Sequence, residues 1–544
     1  MMMRIVSKGQ DILYKSQESI FSAAVIIALT TSFSSVLGLV KVRLINTYFT
    51  SDVSGLFFIA DQIPSFLLNI LVVGAMSSSF LPVFTSYIER KKEEEAWEMT
   101  SILITTSLII LSVFCLFIFI FPTQIIHVFP FTKNITSDEI STLAWLLRVM
   151  VIPQFFILIG SFFTSILHSY KKFIIPSISL ILYNLGVIIF MVLFQGQFGI
   201  FSPALGMGLG AFLSLMFQIP FIRKVGFKYR FKIDLKNDSV RKVYKLFAPR
   251  TLGLVANQIN TFLQVSVFAS FVSIASVTPF TNANQLQTFP IIFLGVALAQ
   301  AAFPTLSGFV STNNMKAFKE TLSTTILQLS FLAFPIAIIM IGLRVPLIRL
   351  VFGGDKFSWI DTLTAAYTLS FFALSIPIQA ILQLLSRSFY SLHDTWTPVK
   401  YNILAILVSV VLSSYFIFIK GYGVWSLALA YSIANIIDFV FQLLAMREKL
   451  GIEWFDSLVK PILKIGYSCM VLAGVLYASM KYLDAYVIDT TRTVNLMFFV
   501  ALVSISSMAV YLLVTHLAKV KEISLFWKIV RKFNRNAPLI NNVN

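Results

Sequence analysis

The chain has 544 residues, 57% of them hydrophobic and 12% charged, with a mean hydropathy of +0.85 and a formal net charge of +18 at pH 7. Soluble domains run at roughly 45–50% apolar and about 25% charged, so this composition excludes a soluble fold, and the apolar residues fall in runs long enough for bilayer helices of about 20 residues each. The basic excess sits in short segments between those runs, where membrane orientation explains it better than nucleic-acid binding does.

Read in chain order, the apolar runs predict an all-α polytopic membrane protein with about fourteen helices, near residues 20–47, 53–85, 101–125, 141–167, 174–196, 202–222, 246–271, 276–305, 320–344, 362–386, 399–419, 424–446, 462–481 and 494–516. The first follows Arg4, Lys8 and Lys15 and is too long for a signal-peptide core, so it reads as an uncleaved helix. An even count puts both termini on one side. That side holds 31 of the 42 Lys and Arg, the opposite loops 5, so both termini are expected in the cytoplasm. The longest loop, near 223–245, leaves no room for a soluble catalytic domain.

An internal repeat organises these helices. Leu37-Gly38-Leu39-Val40 recurs as Leu252-Gly253-Leu254-Val255, and the series Pro64, Gly74, Phe80, Pro82 recurs as Pro290, Gly295, Phe303, Pro304. Pro153 and Pro176 correspond in the same way to Pro377 and Pro398. Each copy spans six helices, an even number, so the copies insert in one orientation, as in transporters that bind cargo between two lobes. The expected organisation is an N-terminal lobe over 1–222, a basic linker over 223–245, a C-terminal lobe over 246–446, two further helices over 447–516 and a basic tail over 517–544. Gly38, Pro64, Gly74, Pro290 and Gly295 are the candidate hinges, because Pro removes a helical hydrogen bond and Gly loosens the backbone.

Three stretches carry a family resemblance: SVLGLVKVRLINTYFTSDVSGLFFIADQIPSFLLNILVVGAMSSSFLPVF, QLQTFPIIFLGVALAQAAFPTLS and RSFYSLHDTWTPVK. With the helix count and the repeat, they resemble the MurJ/MviN flippases of the multidrug/oligosaccharidyl-lipid/polysaccharide exporter superfamily. The resemblance implies a transporter, not an enzyme, in the bacterial inner membrane. Its cargo would be lipid II, the undecaprenyl-diphosphate-linked peptidoglycan precursor, moved from inner to outer leaflet by alternating access. It implies no cofactor, coupling to membrane potential, Na⁺ or H⁺, and cell-wall synthesis enzymes as partners beside membrane lipids.

A diphosphate crossing a low-dielectric site needs cations or many donors around it. The intramembrane ionisable residues are Lys41, Arg43, Asp61, Arg148, Arg250, Arg344, Arg349 and Asp438, a set biased to positive charge that suits an anionic cargo. Lys41, Arg43 and Arg250 are cargo-binding candidates, with interfacial snorkelling the competing reading for each. Lys41 and Arg43 are two residues apart, about 200° around a helix, so one of them at most faces a common site unless the helix breaks near Gly38. Asp61 needs a partner, for which Lys41, Arg43 and Arg250 compete; Asn257, Gln258 and Gln285 extend the polar set. Asp438 is a candidate coupling-cation ligand, and Arg344 and Arg349 read as anchors at a helix end.

The resemblance also implies charged residues where this chain has Ser35, Val42, Gly55, Leu68, Asn69, Val73 and Gln285; of the matched charged positions, Lys41 alone keeps its charge. Compensation by Arg43 and Arg250, a different lipid-linked oligosaccharide or amphipathic drug as cargo, and a non-transporting scaffold are the three ways to read that pattern. The four His lack metal-ligand spacing, and the two cysteines, Cys115 and Cys469, each lie in an apolar run, so neither a metal site nor a disulfide framework is supported.

Overall fold

The computed structural model describes residues 20–70, 80–129, 135–234, 236–486 and 492–523, without the side chains of 20–29, 242, 244–254 and 485–486. Among the described residues every regular element is helical. The order is α1 (Ile20–Tyr48), α2 (Ser51–Asn69), α3 (Leu81–Glu89), α4 (Glu93–Ile120), α5 (Pro122–His127), α6 (Ser137–Ser169), α7 (Ile174–Phe198), α8 (Phe201–Lys224), α9 (Asp238–Phe262) and α10 (Ser270–Val272). Then come α11 (Ile274–Pro290), α12 (Ala297–Ser311), α13 (Met315–Gly342), α14 (Arg344–Phe352), α15 (Trp359–Ala373), α16 (Ile376–Ser391), α17 (Trp396–Ser414), α18 (Trp425–Leu450), α19 (Ile452–Tyr486) and α20 (Thr493–Leu517). Wider π-helical turns at Leu263–Ala269, Ile291–Val296 and Tyr415–Ile419 interrupt the α geometry.

Ten of these helices are long and apolar enough to cross a membrane, and α15 with α16, bent by 43°, makes an eleventh. They match eleven of the fourteen expected spans. Of the other three, 53–85 runs into residues 71–79 outside the described set, and the helices near 20–47 and 246–271 each include residues whose side chains are not described. The described residues therefore establish ten or eleven spans, and the count of fourteen is not reached among them.

Proline placement explains several local departures. Pro335, inside α13, has no N–H to offer the carbonyl of Phe331 one turn earlier. The Tyr511 hydroxyl of α20 donates to that carbonyl at 2.8 Å, and Tyr511 is fully buried against the Phe331 ring. Pro377 starts the second half of the bent α15–α16 pair. At that break the Ser375 N–H turns to the carbonyl of Phe372, and the Ser432 hydroxyl donates to the carbonyl of Phe371 at 2.6 Å. The Phe331 and Phe371 carbonyls thus each find a side-chain donor, as an apolar surrounding demands.

The chain forms two compact units: Met1–Asn282 with Val351–Ala365 and Ile406–Leu427, and Ala283–Leu350 with Ala366–Ala405 and Ala428–Asn544. In the first, α7 and α8 are joined by a tight link whose Gly199 has φ +50°, and they pack backbone against backbone. A Cβ on Gly186 would overlap the Cα of Gly210, so glycine at this crossing is a steric requirement. Helix α1 lies along α7, and α2 along α6. In the second unit α13 is central, packing against α16 and against the α19–α20 pair. Its core gathers Phe318, Leu322, Leu329, Leu384, Phe389 and Trp454.

Candidate functional site

In the first unit, α1, α2 and α7 bring three polar groups together. Lys41 on α1 is partly buried and places its Nζ 5.9 Å from the centre of the Tyr183 ring on α7, at the outer range of a cation–π contact. Asp61 on α2 interacts electrostatically with Lys41 across a gap wider than the 4.0 Å of a direct ion pair, and also with Tyr183. The Asp61 carboxylate accepts a hydrogen bond from Ser65 at 3.2 Å, one helical turn on. Around α1 the polar lining continues: Asn184 donates to the Ser34 hydroxyl at 3.0 Å and to the Ser34 carbonyl at 3.2 Å. A second polar contact, Asn69 to Gln258 at 3.3 Å, joins α2 to α9, and the Phe66 and Phe262 rings lie 5.3 Å apart beside it.

The candidates divide accordingly. Lys41 and Asp61 belong to one cluster, and the Lys41 charge acts on Asp61. Helix α1 runs unbroken through the buried Gly38, so the irregularity considered there is absent and Lys41 and Arg43 leave the helix about 200° apart. Gln258 is engaged by Asn69, while Asn257 is exposed. The side chain of Arg250 and the whole of Gly74 lie outside the described residues. Pro64 is buried within an uninterrupted α2, whereas Pro290 ends α11 and is followed by the π turn that contains Gly295. A Cβ on Gly295 would come within 2.7 Å of the Ala380 Cα, so that glycine serves helix contact.

Gln285 and Asp438 belong to the second unit. Asp438 is buried and accepts hydrogen bonds from Gln442, at 2.8 Å, and from Asn402. It lies on a stripe of α18 with Tyr431, Asn435 and Gln442, spaced by three or four residues so that all share one face. The Tyr431 hydroxyl donates to Gln379, and Gln379 donates to Ser375 at 2.8 Å. No group of three or more His, Cys, Asp or Glu able to hold a metal occurs among the described residues. Arg344 caps the α13 end, donating to the Ile341 carbonyl at 3.0 Å and lying over the Tyr367 ring at 5.9 Å.

Sequence reasoning missed Tyr183, Ser65 and the Gln379–Tyr431 contact. Tyr183-Asn184 is a polar pair inside a span of otherwise apolar residues, and that pairing was the available signal.

Outside the spans, electrostatics holds the connecting segments. Burial opposes ionisation of Asp394, but the Thr397 backbone and hydroxyl hydrogen bonds and Lys449, at 3.0 Å, outweigh it and hold the carboxyl below the usual range. Burial and the neighbouring Glu93 push the Tyr170 phenol up to about 12, where it stacks on Trp97.

Residues 45–517 match the family described as lipid II flippase MurJ. This chain belongs to the MurJ family. It is 28% identical over 517 residues to a probable lipid II flippase MurJ of Buchnera aphidicola subsp. Schizaphis graminum, covering 94% of this chain and 100% of that one. Its structure is similar to that of a lipid II flippase MurJ in an inward closed conformation, with TM-score 0.71 and 26% identity over 90% of this chain and 98% of that one. It also shares the fold of an inward-facing multidrug resistance MATE family transporter of the MOP superfamily, with TM-score 0.64 and 15% identity over 80% of this chain and 99% of that one. The family is one of transporters, and MurJ membership makes this chain a multi-pass bacterial membrane protein. Gly55, at a position where the resemblance implies a carboxylate, is pressed against the Ile274 carbonyl, which leaves no space for any side chain.

Proposed function

We propose that this chain moves lipid II from the inner to the outer leaflet of the bacterial cytoplasmic membrane by alternating access between lobes 1–222 and 246–446. The observation that carries the reading is the family match over residues 45–517 together with Lys41, a cation held inside the first unit between Tyr183 and Asp61. A diphosphate needs such a cation, because a dianion in a site of low dielectric is otherwise too costly to desolvate. Asp61 attracts the Lys41 ammonium in the empty site, and the diphosphate competes with it for that cation. Arg43 and Arg250 add positive charge, and Asn257, Gln258 and Gln285 supply neutral hydrogen-bonding groups. Both termini, the 223–245 linker and the 517–544 tail lie in the cytoplasm, where the Lys and Arg excess places them. Helices over 447–516 complete the transporter, and wall-synthesis enzymes that consume lipid II are the protein partners. Asp438 serves as the coupling group for a cation, H⁺ or Na⁺, since its carboxylate is buried among amide donors.

The test is complementation. Bacteria depleted of their own lipid II flippase receive this chain or its Lys41→Ala/Arg43→Ala/Arg250→Ala form, and lipid II exposed at the outer leaflet is measured. Restored exposure that vanishes in the triple variant supports both cargo and site. Equal restoration keeps the cargo and removes the site. A correctly inserted protein that restores nothing favours another lipid-linked oligosaccharide, the reading to which the neutral Gly55 and Gln285 lean.

A further inference from the structure

Between α8 and α9 the chain is not helical over residues 227–234, yet it is pinned along its length to α4 and α6. Phe227 is buried, its ring 5.4 Å from that of Trp97 and 6.2 Å from that of Phe163. The Tyr229 hydroxyl hydrogen-bonds Thr105 at 2.8 Å, the Arg230 N–H donates to Ser101 at 3.3 Å, and Lys232 pairs with Glu98. With the segment so held, the side chains of Lys228, Phe231 and Ile233 are exposed and that of Asp234 is half-buried. Phe231 is 75% exposed and Ile233 56% exposed, and they alternate with the exposed cations Lys228, Arg230 and Lys236.

Depth identifies what faces this surface. On one face of α4, Ile109, Ile110, Val113, Leu116, Phe117 and Ile120 are exposed, as on a lipid-facing helix. Counting back about 20 residues from Ile120 brings the hydrocarbon border near Ser101, which is where Arg230 attaches. The segment also starts at the basic end of the membrane-spanning α8, with Arg223 and Lys224. Aromatic and aliphatic side chains interleaved with cations at that depth match the boundary between acyl chains and phosphates, where apolar groups enter and cationic groups stay at the headgroups.

We infer that residues 227–234, with Lys236, form an interfacial strap whose Phe231 and Ile233 enter the bilayer and whose Lys228, Arg230 and Lys236 bind the phosphates of anionic phospholipids. The surface is independent of the cargo site, because its ligands are bulk lipids of the surrounding leaflet.

The experiment uses the full chain carrying Ile233→Cys with an environment-sensitive fluorophore, in nanodiscs free of lipid II. Both native cysteines are buried and do not compete for the label. Quenching is compared between brominated phosphatidylglycerol and brominated phosphatidylcholine, each diluted into an unbrominated background. The inference expects stronger quenching by phosphatidylglycerol, weakened by high salt. That preference disappears in Lys228→Gln/Arg230→Gln/Lys236→Gln, since each cation near an anionic surface contributes roughly fivefold to attraction. These three are exposed, so the variant retains the Phe227, Tyr229 and Lys232 anchors and its fold. Equal quenching by both lipids, unchanged in the triple variant, overturns the headgroup assignment. A label quenched by neither lipid overturns the strap itself and points to water or a protein on that face.

Discussion

The Tyr511 hydroxyl supplies to the Phe331 carbonyl the hydrogen bond that Pro335 withholds. The two residues are 180 positions apart, so this bond ties α20 to α13 at a point where the helix cannot satisfy itself. Tyr511→Phe keeps the ring contact and orphans the carbonyl in an apolar setting, at a cost of about 1–3 kcal/mol. The expected result is a lower Tm in detergent with transport retained at permissive temperature. Pro335→Ala in the same background restores an N–H to the carbonyl and recovers part of the loss.

Lys41 and Asp61 are expected to make separable contributions to folding and to transport. Lys41→Met leaves Asp61 without its nearby counter-charge inside the first unit, so folded yield falls. Lys41→Met/Asp61→Asn removes both charges and recovers the yield. Neither variant exposes lipid II at the outer leaflet in the depletion assay. Transport by the double variant at the parental rate would show that Lys41 serves structure alone.

Gly55 tests the closeness of two backbones. A methyl at this position overlaps the Ile274 carbonyl, and Thr278 donates to the Ser51 carbonyl at 2.8 Å one turn away. Gly55→Ala forces the backbones apart and costs about 1–3 kcal/mol. Thermal unfolding shows the loss, and hydrogen exchange shows it concentrated at residues 51–55 and 274–278.

Asp394 gives a pH dependence with a definite sign. Its folded carboxyl titrates below the unfolded value, so its contribution is complete above about pH 3.9 and is lost as pH falls through the folded value. Asp394→Asn is therefore less stable than the parent at pH 7, and the difference closes in acid. Thermal melts of the two proteins over a pH series check this; a constant difference at all pH values would assign the effect to lost geometry.

Asp438→Asn keeps a side chain that Gln442 can still hydrogen-bond but removes the charge. The expected outcome is a folded transporter whose lipid II flipping in proteoliposomes no longer responds to an imposed Na⁺ or H⁺ gradient. An unchanged response places the coupling group elsewhere.

The membrane class and eleven spans were legible in the sequence because a bilayer imposes length and hydropathy on each helix independently of its neighbours. That Asp61 needs a cation nearby was legible for a related reason, since a carboxylate in a span must find a counter-charge, but the sequence left Lys41, Arg43 and Arg250 all open as that cation. Tyr183 was not, because a phenol in an apolar run is indistinguishable from a core aromatic until α7 is laid against α1. The break before Pro377 had a proline to announce it, whereas the π turn at Leu263–Ala269 contains neither Gly nor Pro and left no mark. Tyr511 and Phe331 meet only through tertiary packing, which periodicity does not encode.

The glycine crossing of α7 and α8 bears on how a cation in the membrane is carried. Gly186 and Gly210 leave no side chains between the two backbones that repacking could exploit, so the pair slides or bends at high cost. Asn184, two residues before Gly186, grips α1 at Ser34, and Tyr183 lies under Lys41. Lys41 is in effect mounted on a stiff frame of three helices. The softer member of the cluster is α2, which stays helical through Pro64 but lacks that residue's N–H, one residue before Ser65, the partner of Asp61. If Lys41 holds the anion as proposed, its release needs no travel by the lysine: a swing of α2 that returns Asp61 to the ammonium would displace it.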